Sequence, residues 1–389
     1  MRRSRVASLL IIASVAIAPA ATMQSRDTAL KTVTAERSTA LRAVVRRSAP
    51  VWSAGPDDAP AVTGASGITR LGGRIFVVQD DSTFLAALGP DGTVERIRLF
   101  EPIEGADRFH DALGNKRLKP DLEALAVVPH SRALGGEALL VVGSGSIRDV
   151  RDRVALVVPA APLAASRVVV ARPRALYARL RADERLTGGL ELNIEGLAFV
   201  DGGRTARFFN RGIGPSVAIT ASVDVDAEAL VDYLLRASES PDAPLDAPFT
   251  NAVRYKLGRS EGVPIAIGDV TVVRMGSGTE ATEVVIGAYT AEATDDPTTD
   301  GTTSGTHLAL QLADGRLLVA PVLDETGRPS SSKVEGLLLR RASWTRSAGG
   351  IRWLHATLLV VVDTDPDDPR VPSETVEIEL VYDPTVSTR

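Results

Sequence analysis

Cysteine is absent from all 389 residues, which excludes disulfide bonds, thiolate zinc sites, iron–sulfur clusters and a cysteine nucleophile. An excess of basic residues is also absent, since 44 Lys and Arg stand against 49 Asp and Glu, for a formal net charge of −5. A chain with this balance is poorly suited to neutralise a phosphate backbone, and we expect no nucleic-acid partner. The composition that remains, 44% hydrophobic and 24% charged, is that of a globular protein.

Long apolar runs are missing as well, apart from one near the N-terminus. Three arginines precede an apolar run over residues 6–18, and Ala18-Pro19-Ala20 follows. The run is shorter than the ~20 residues of a membrane span, so a membrane anchor is the less favoured alternative. The pattern is typical of a secretory signal peptide. We predict a signal peptide over residues 1–20, export to the periplasm or the extracellular space, and no membrane span.

A repeat organises most of the chain. Five short apolar segments begin alike, and the second residue of each start recurs at intervals of roughly 55 to 75 residues. These second residues are Ser66, Glu123, Glu195, Asp269 and Glu335. Up to four strand-like segments with turn signals follow each start, which is the anatomy of a propeller blade. We predict a single all-β domain over residues 40–389, a five-bladed β-propeller of four-stranded antiparallel blades, with six blades as the alternative.

The fifth unit has one strand-like segment too few. Residues 40–48 form a strand-like segment ahead of the first unit, and residues 21–39 before it lack periodicity. Closing the ring of a propeller removes exposed sheet edges. We predict that the N-terminal strand closes the last blade, that residues 21–39 are a flexible lead-in, and that two insertions, 174–182 and 226–237, are helical.

The repeated acidic residues are the strongest candidate site: Glu123, Glu195, Asp269 and Glu335. The innermost strand of each blade lines the central channel, so these side chains would converge on one mouth. At ~5 Å, each unscreened pair of carboxylates costs on the order of 3 kcal/mol. A hard, oxygen-liganded cation such as Ca²⁺ would relieve this repulsion. In the alternative interpretation, each carboxylate binds backbone N–H groups of a neighbouring blade and is structural.

Polar residues also recur where the second strand of each unit ends. They are the candidates for ligand binding: Asp80, Ser144, Ser146, Arg148, Asn210, Arg211 and Glu292. Arg148 and Arg211 are suited to bind a phosphate or carboxylate through two parallel hydrogen bonds, or else to pair with the acidic ring. The four histidines are scattered and Ser144 lacks the G-x-S-x-G context, so neither a histidine zinc site nor a serine hydrolase is expected.

A resemblance to a known group is carried by five segments: LKPDLEALAVVP (118–129), VVGSGSIRD (141–149), LNIEGLAFV (192–200), FFNRG (208–212) and KVEGL (333–337). The chain resembles a family of uncharacterised exported bacterial propellers that is distantly similar to esterase-like phytases. More loosely, it is similar to calcium-dependent propeller lactonases, in which a Glu at the start of an inner strand ligates the metal. This resemblance implies that role for Glu123, Glu195 or Glu335, whereas Ser66 and Asp269 depart from the pattern.

Two functions of different class remain open at this point. The first is a calcium-dependent hydrolase of phosphoesters or lactones, with Ca²⁺ on the acidic ring, arginines binding the anion and a carboxylate activating water. The second is a noncatalytic propeller that binds a ligand or another protein, because a fold alone does not decide function. In both, the ligand is a small molecule or a protein of unknown identity, bound at the acidic mouth, and we expect a monomer.

Overall fold

The structure is a computed structural model, and it describes residues 29–50, 62–89, 93–214, 217–276, 281–296, 301–347, 350–363, 368 and 370–386. The signal peptide predicted over residues 1–20 lies outside the described residues. Where the chain is described, no helix is both long enough and apolar enough to cross a lipid bilayer.

Two N-terminal strands precede the repeated units, namely β1 (Lys31–Arg37) and β2 (Leu41–Pro50). Unit one is an antiparallel sheet of β3 (Ala65–Leu71), β4 (Arg74–Gln79), β5 (Phe84–Leu88) and β6 (Val94–Arg98). Unit two is built in the same way from β7 (Leu122–Ser131), β8 (Gly136–Gly143), β9 (Val154–Val158) and β10 (Arg167–Ala171).

The other three units continue the pattern. Unit three contains β11 (Ile194–Val200), β12 (Thr205–Gly214), β13 (Val217–Asp226) and β14 (Thr250–Lys256). After the short β15 (Arg259–Ser260), unit four contains β16 (Val263–Met275), β17 (Thr282–Ala293), β18 (Thr302–Gln311) and β19 (Leu317–Leu323). Unit five contains β20 (Lys333–Ser347), β21 (Gly350–Asp363) and β22 (Glu374–Tyr382).

The fourth strand of unit five is β2, which runs antiparallel to β22 with Leu41 opposite Tyr382 and Pro50 opposite Glu374. The prediction that the N-terminal segment completes the C-terminal unit is therefore confirmed. The expectation of a flexible lead-in over residues 21–39 is corrected in part, because β1 pairs in parallel with both β14 and β19. Val33 and Ala35 alternate with polar residues and pack inward, as in a half-buried strand. Through β1, units three to five form one large mixed sheet.

Helical insertions occur where the sequence predicts them. They are α1 (Arg174–Ala182), followed by the single turn α2 (Glu184–Thr187), and α3 (Ala227–Glu239). Each of the two longer helices buries an apolar face, with Leu176 and Tyr177 from α1 and Leu230 and Tyr233 from α3. These faces join the hydrophobic cluster between units two and three.

The innermost strands of the five units pack side by side: β3 against β7, β7 against β11, β11 against β16, β16 against β20, and β20 against β3. A cluster of buried hydrophobic side chains lies between each unit and the next, including one shared by the last unit and the first, where Val361 meets Ile68. Burying one such side chain contributes about 1.5–3 kcal/mol. The architecture is all-β, made of several four-stranded antiparallel sheets, and is consistent with a β-propeller.

Candidate functional site

A β-bulge interrupts the first residues of each innermost strand, and this bulge is the structural basis of the sequence repeat. The extra residues are Ser66, Glu123, Glu195, Gly268 and Glu335. A bulge re-aims the side chain that it contains, so four side chains turn towards the channel. The fifth position is a glycine, since a Cβ at Gly268 would lie 2.5 Å from the carbonyl oxygen of Val334.

This register corrects one candidate of the acidic ring. Asp269 follows the bulge instead of occupying it, and it is paired with Ala288 in the sheet. Its carboxylate accepts a hydrogen bond from the backbone N–H of Leu337 in unit five, at 2.7 Å. Burial raises the pKa of Asp269 well above its ordinary value. Asp269 therefore joins units four and five, as the structural alternative expects, and it does not line the mouth.

The other bulge residues line a small polar cavity of about 30 Å³ at the end of the channel. One water needs roughly 10–15 Å³ by this measure, so the cavity has room for an ion or for roughly two waters. Its walls are almost entirely polar: Ser66, Asp80, Lys116, Lys119, Asp121, Glu123, Arg151, Asn193, Glu195, Arg211, Lys333, Glu335 and Asp363. We call this cavity the mouth.

One side of the mouth, the acidic half, consists of Asp80, Asp121 and Glu123. Ligand oxygens of these three carboxylates all lie within 4.8 Å of one another, a spacing that could hold a metal ion. Lys119 forms ion pairs with both Asp80 and Asp121, the latter at 3.2 Å. Arg151 binds Asp121 from the other side at 2.8 Å. Two cations therefore pair with two of the three acids, although burial still raises the pKa of Asp80 to about 7 against the opposing effect of Lys119.

Asp121 is the best-bound member of the acidic half. Ser144 donates a hydrogen bond to its carboxylate, and the Ser146 hydroxyl lies 3.3 Å from the same oxygen. Burial alone would raise the pKa of Asp121, but Lys119 and Arg151 together hold it below its ordinary value. Asp121 is thus an ionised carboxylate at neutral pH.

Glu123 has a different environment. Its side chain is buried, and among the described residues no hydrogen-bond donor or ion-pair partner contacts its carboxylate. Burial, followed by the charges of Asp121 and Glu195, raises the pKa of Glu123 well above its ordinary value. This acid needs a proton or an added cation to be stable in its position.

The rest of the mouth, the paired half, contains Glu195 and Glu335 with Arg211 and Lys333, and it includes Glu292, which does not line the cavity but pairs with both cations. Arg211 lies 3.0 Å from Glu195 and 3.5 Å from Glu292. Lys333 lies 3.3 Å from Glu335 and 3.6 Å from Glu292. Each carboxylate of this half therefore has at least one cationic partner.

Glu195 is held from two sides, because Asn193 also donates a hydrogen bond to its carboxylate at 2.6 Å. Burial nevertheless raises the pKa of Glu195 to about 8, against the opposing effect of Arg211. Burial would lower the pKa of Arg211, but Glu195 and Glu292 raise it above the ordinary value. Arg211 is therefore always charged, while Glu195 titrates near neutral pH.

Most of the ligand-binding candidates lie at or beside the mouth. Asp80 and Arg211 line it, Ser144 and Ser146 contact Asp121, and Glu292 pairs with Arg211. Two candidates do not fit. The Asn210 side chain accepts a hydrogen bond from the backbone of Asn193 and is structural. Arg148 is exposed and does not line the mouth.

Arg151, three residues after Arg148, takes the role that the sequence analysis gave to Arg148. The loop between β8 and β9 turns back here, so Arg151 is buried and Arg148 faces solvent. Other residues that sequence reasoning missed are Lys119, Asp121 and Lys333. The rarity of lysine is a feature of the sequence that could have drawn attention to them, since the chain has five lysines and the structure places three of these at the mouth. Lys333 also stands two residues before Glu335, on the same face of its strand.

Comparison with protein families gives a match over residues 61–380. The chain belongs to the family of unknown function DUF6929. The expectation of an uncharacterised family is thereby confirmed, while the likeness to phytase propellers stays a prediction. No curated protein matches the chain in sequence.

Similar solved structures include two α-L-arabinofuranosidases and a gluconolactonase. PaAbf62A from Podospora anserina has 9% identity and a TM-score of 0.42, covering 88% of this chain and 97% of its own. The GH93 enzyme of Fusarium graminearum has 7% identity and a TM-score of 0.41, with 87% and 98% covered. XC5397 from Xanthomonas campestris has 10% identity and a TM-score of 0.30, with 86% and 98% covered. At these values the likeness carries no conclusion about activity.

Proposed function

We propose that the protein is a five-bladed propeller whose mouth binds a hard divalent cation, with Ca²⁺ as the first candidate, and that it hydrolyses neutral esters or lactones there. The five blades are supported by the packing of β20 against β3 and by the hydrophobic cluster between units five and one. Both contacts join the end of the repeat to its beginning, which supports five blades over six.

The observation that carries the cation site is the unpaired Glu123 carboxylate beside Asp80 and Asp121. The donors on offer are carboxylate oxygens, which suit Ca²⁺ better than a transition metal. The volume of about 30 Å³ accommodates an ion, so a substrate would stay outside the mouth and present only its carbonyl group to the ion. Lys119 contacts Asp80 and Asp121 and so competes with the cation. We therefore expect modest affinity, in the micromolar to millimolar range of calcium sites.

Hydrolysis needs a polarised carbonyl group, an activated water to attack it and a proton donor for the leaving oxygen. A bound cation would supply the first two, by polarising the carbonyl oxygen and acidifying a water. Glu195 stands in the paired half and, with its pKa at about 8, holds a proton at neutral pH. It is the candidate acid for the leaving oxygen. Asn193 and Arg211 fix the orientation of its carboxyl group.

The cations of the mouth favour a neutral substrate over a phosphoester. Each of the five already pairs with a carboxylate: Lys116 with Asp111, Lys119 with Asp80, Arg151 with Asp121, Arg211 with Glu292 and Lys333 with Glu335. Four of these pairs are buried or nearly buried and only Lys116–Asp111 is open to solvent, so at the other four cations a phosphate would have to displace such a pair, which is costly. An ester or lactone carbonyl carries no net charge and needs no such exchange.

A substrate panel with and without calcium tests this proposal. We expect turnover of p-nitrophenyl acetate or δ-valerolactone that depends on Ca²⁺ and is lost in EDTA, and no release of phosphate from phytate. Glu195→Gln should lower kcat at least about 100-fold, as expected for loss of a general acid. The exposed Glu137 gives the control, since Glu137→Gln should act as the unchanged protein does. Absence of turnover on every neutral substrate would favour the noncatalytic alternative.

A further inference from the structure

A second concavity lies beside the mouth and shares Arg211 with it. We call it the groove; it is formed between β12–β13 of unit three and β16–β17 of unit four and has a volume of about 300 Å³. This is about ten times the volume of the mouth and reaches the range of small-molecule pockets. Ile213, Val263 and Pro264 form an apolar wall, and Arg211, Thr290 and Glu292 supply the polar groups.

Three buried polar atoms of residues that line the groove have no hydrogen-bond partner among the described residues: Arg211 Nε, Thr290 Oγ1 and Glu292 Oε2, of which the last keeps its 3.5 Å ion pair with Arg211. Thr290 is 2% exposed, and the Glu292 side chain is 5% exposed. Thr290 and Glu292 stand two residues apart on β17, so both side chains leave the same face of the sheet. An unsatisfied buried polar atom costs about 1–3 kcal/mol. The Arg211 Nε–H and the Thr290 hydroxyl have no hydrogen-bond partner in the described part of the chain, and Glu292 Oε2 has room for a donor, so the groove residues hold hydrogen-bonding capacity that a ligand would use.

The three atoms differ in what they require. Arg211 Nε–H can only donate, the Glu292 carboxylate can only accept, and the Thr290 hydroxyl can do both. A carboxylate or phosphate would satisfy Arg211 but would face the Glu292 oxygen with a like charge. An ammonium group would have the opposite conflict with Arg211. A hydroxyl group donates and accepts through one atom, so adjacent hydroxyls satisfy all three positions.

We infer that the groove binds a small neutral polyhydroxylated molecule, of the size and chemistry of a monosaccharide. Its hydroxyls bind Arg211, Thr290 and Glu292, and its C–H face packs on the apolar wall of the groove. This site uses no ligand of the cation, so it stands whether or not the mouth binds calcium.

Ligand-observed NMR titration in EDTA tests this inference. The ligands are D-glucose and D-galactose, and the binding of each is compared with that of the corresponding uronate. These pairs differ only by the carboxylate, so they separate a hydroxyl site from an anion site. We expect saturable binding of at least one neutral sugar in the millimolar range and weaker binding of its uronate. Tighter binding of the uronates, or no saturable binding of either neutral sugar, would overturn the inference.

Two variants locate the binding. Thr290→Val removes the hydroxyl at nearly constant shape and should weaken sugar binding about tenfold, the effect of one lost hydrogen bond. Ser131→Ala is the matched control, because Ser131 Oγ is also buried without a partner but lies outside the groove. If Thr290→Val does not fold, Ala293→Phe fills the groove from an exposed position and should abolish binding. Wild-type affinity in a folded Thr290→Val or Ala293→Phe protein would contradict the site.

Discussion

The acidic half and the paired half of the mouth are built from equivalent positions of the same repeat, yet they differ in charge balance. Glu123 and Glu335 occupy the same bulge in units two and five. Glu335 has Lys333 at 3.3 Å, whereas Glu123 has no partner among the described residues. The repeat therefore determines where a carboxylate lies, and the residues around it determine whether that carboxylate is compensated.

The difference arises from where the cations come from. In the paired half, Lys333 precedes the bulge on β20, and Arg211 lies on β12, one residue after the last pair that β12 makes with β11, so both cations reach the glutamates from strands. In the acidic half, Lys119 and Arg151 come from loops and are taken up by Asp121. Asp121 thus pairs with both of these cations, and Glu123 with neither. Each glutamate of the paired half has a cationic partner, which is why we propose the added cation for the acidic half.

Removing β1 and β2 should have the largest effect, because β2 is the fourth strand of unit five and β1 joins units three and four. Deletion of residues 1–50 removes β1 and β2, exposes β22 and uncovers the buried side chains that Leu41 and Ala43 contact. We expect a loss on the order of 5 kcal/mol or more, measured by thermal unfolding followed by circular dichroism. Deletion of residues 1–28 keeps both strands and is the control. Equal melting temperatures for the two deletions would show that the fold does not depend on these strands.

Breaking the paired half should have the next largest effect. Arg211→Met leaves Glu195 and Glu292 buried without their shared cation and should destabilise the protein by about 3–5 kcal/mol. The exposed Arg148 is the matched control, and Arg148→Met should change stability by less than about 0.5 kcal/mol. Urea unfolding of both variants measures the difference. Similar values for the two would mean that the paired half is not held by its ion pairs.

Asp269, which does not line the mouth, should behave as a structural group. Asp269→Ala removes the acceptor for the Leu337 N–H and should cost about 1–3 kcal/mol in urea unfolding. Asp269→Asn keeps an acceptor oxygen and should restore most of that loss. Calcium binding should be unchanged in both variants. A loss of calcium binding in Asp269→Asn would mean that Asp269 is a cation ligand, and it would contradict the pairing of Asp269 with Ala288.

The acidic half should also be visible in the pH dependence of stability. Since the pKa of Glu123 is raised in the folded protein, the unfolded chain releases its proton first as pH rises above about 4.5, and stability falls with pH. Glu123→Gln removes this contribution, so in EDTA the variant should lose less stability than wild type between pH 5 and 8, by on the order of 1 kcal/mol. If the free energy of unfolding fell by the same amount in both proteins between pH 5 and 8, Glu123 would have a compensating charge after all.

The sequence reveals the parts of the fold that depend on periodic patterns. The repeat, the helices over 174–182 and 227–239, and the closure of unit five by β2 all have such patterns. It does not reveal β1, whose short strand is held by two neighbouring edges instead of by its own apolar content. The pairing of β1 with units three and four cannot be predicted from the sequence either, because the sheet edges that it binds exist only once those units have folded.

Side-chain direction in loops and bulges also escapes the sequence. From the sequence, Arg148 and Arg151 are equally plausible partners for a carboxylate of the mouth. Only the path of the loop buries Arg151 and leaves Arg148 exposed. Likewise, Asp269 aligns with the glutamates in the sequence, but the bulge in unit four falls on Gly268. A shift of one residue in a strand turns a side chain to the other face, so residue type alone could not separate a ring carboxylate from a structural one.

The central claim is that the acidic half, and not the paired half, takes an added cation. Isothermal titration of metal-free protein with Ca²⁺ tests it most directly, using wild type, Glu123→Gln and the equivalent variant of the paired half, Glu335→Gln. We predict saturable binding in the micromolar to millimolar range for wild type and for Glu335→Gln, and at least about a tenfold weaker affinity for Glu123→Gln. A wild-type titration without binding heat, or one that Glu123→Gln leaves unchanged, would contradict the claim.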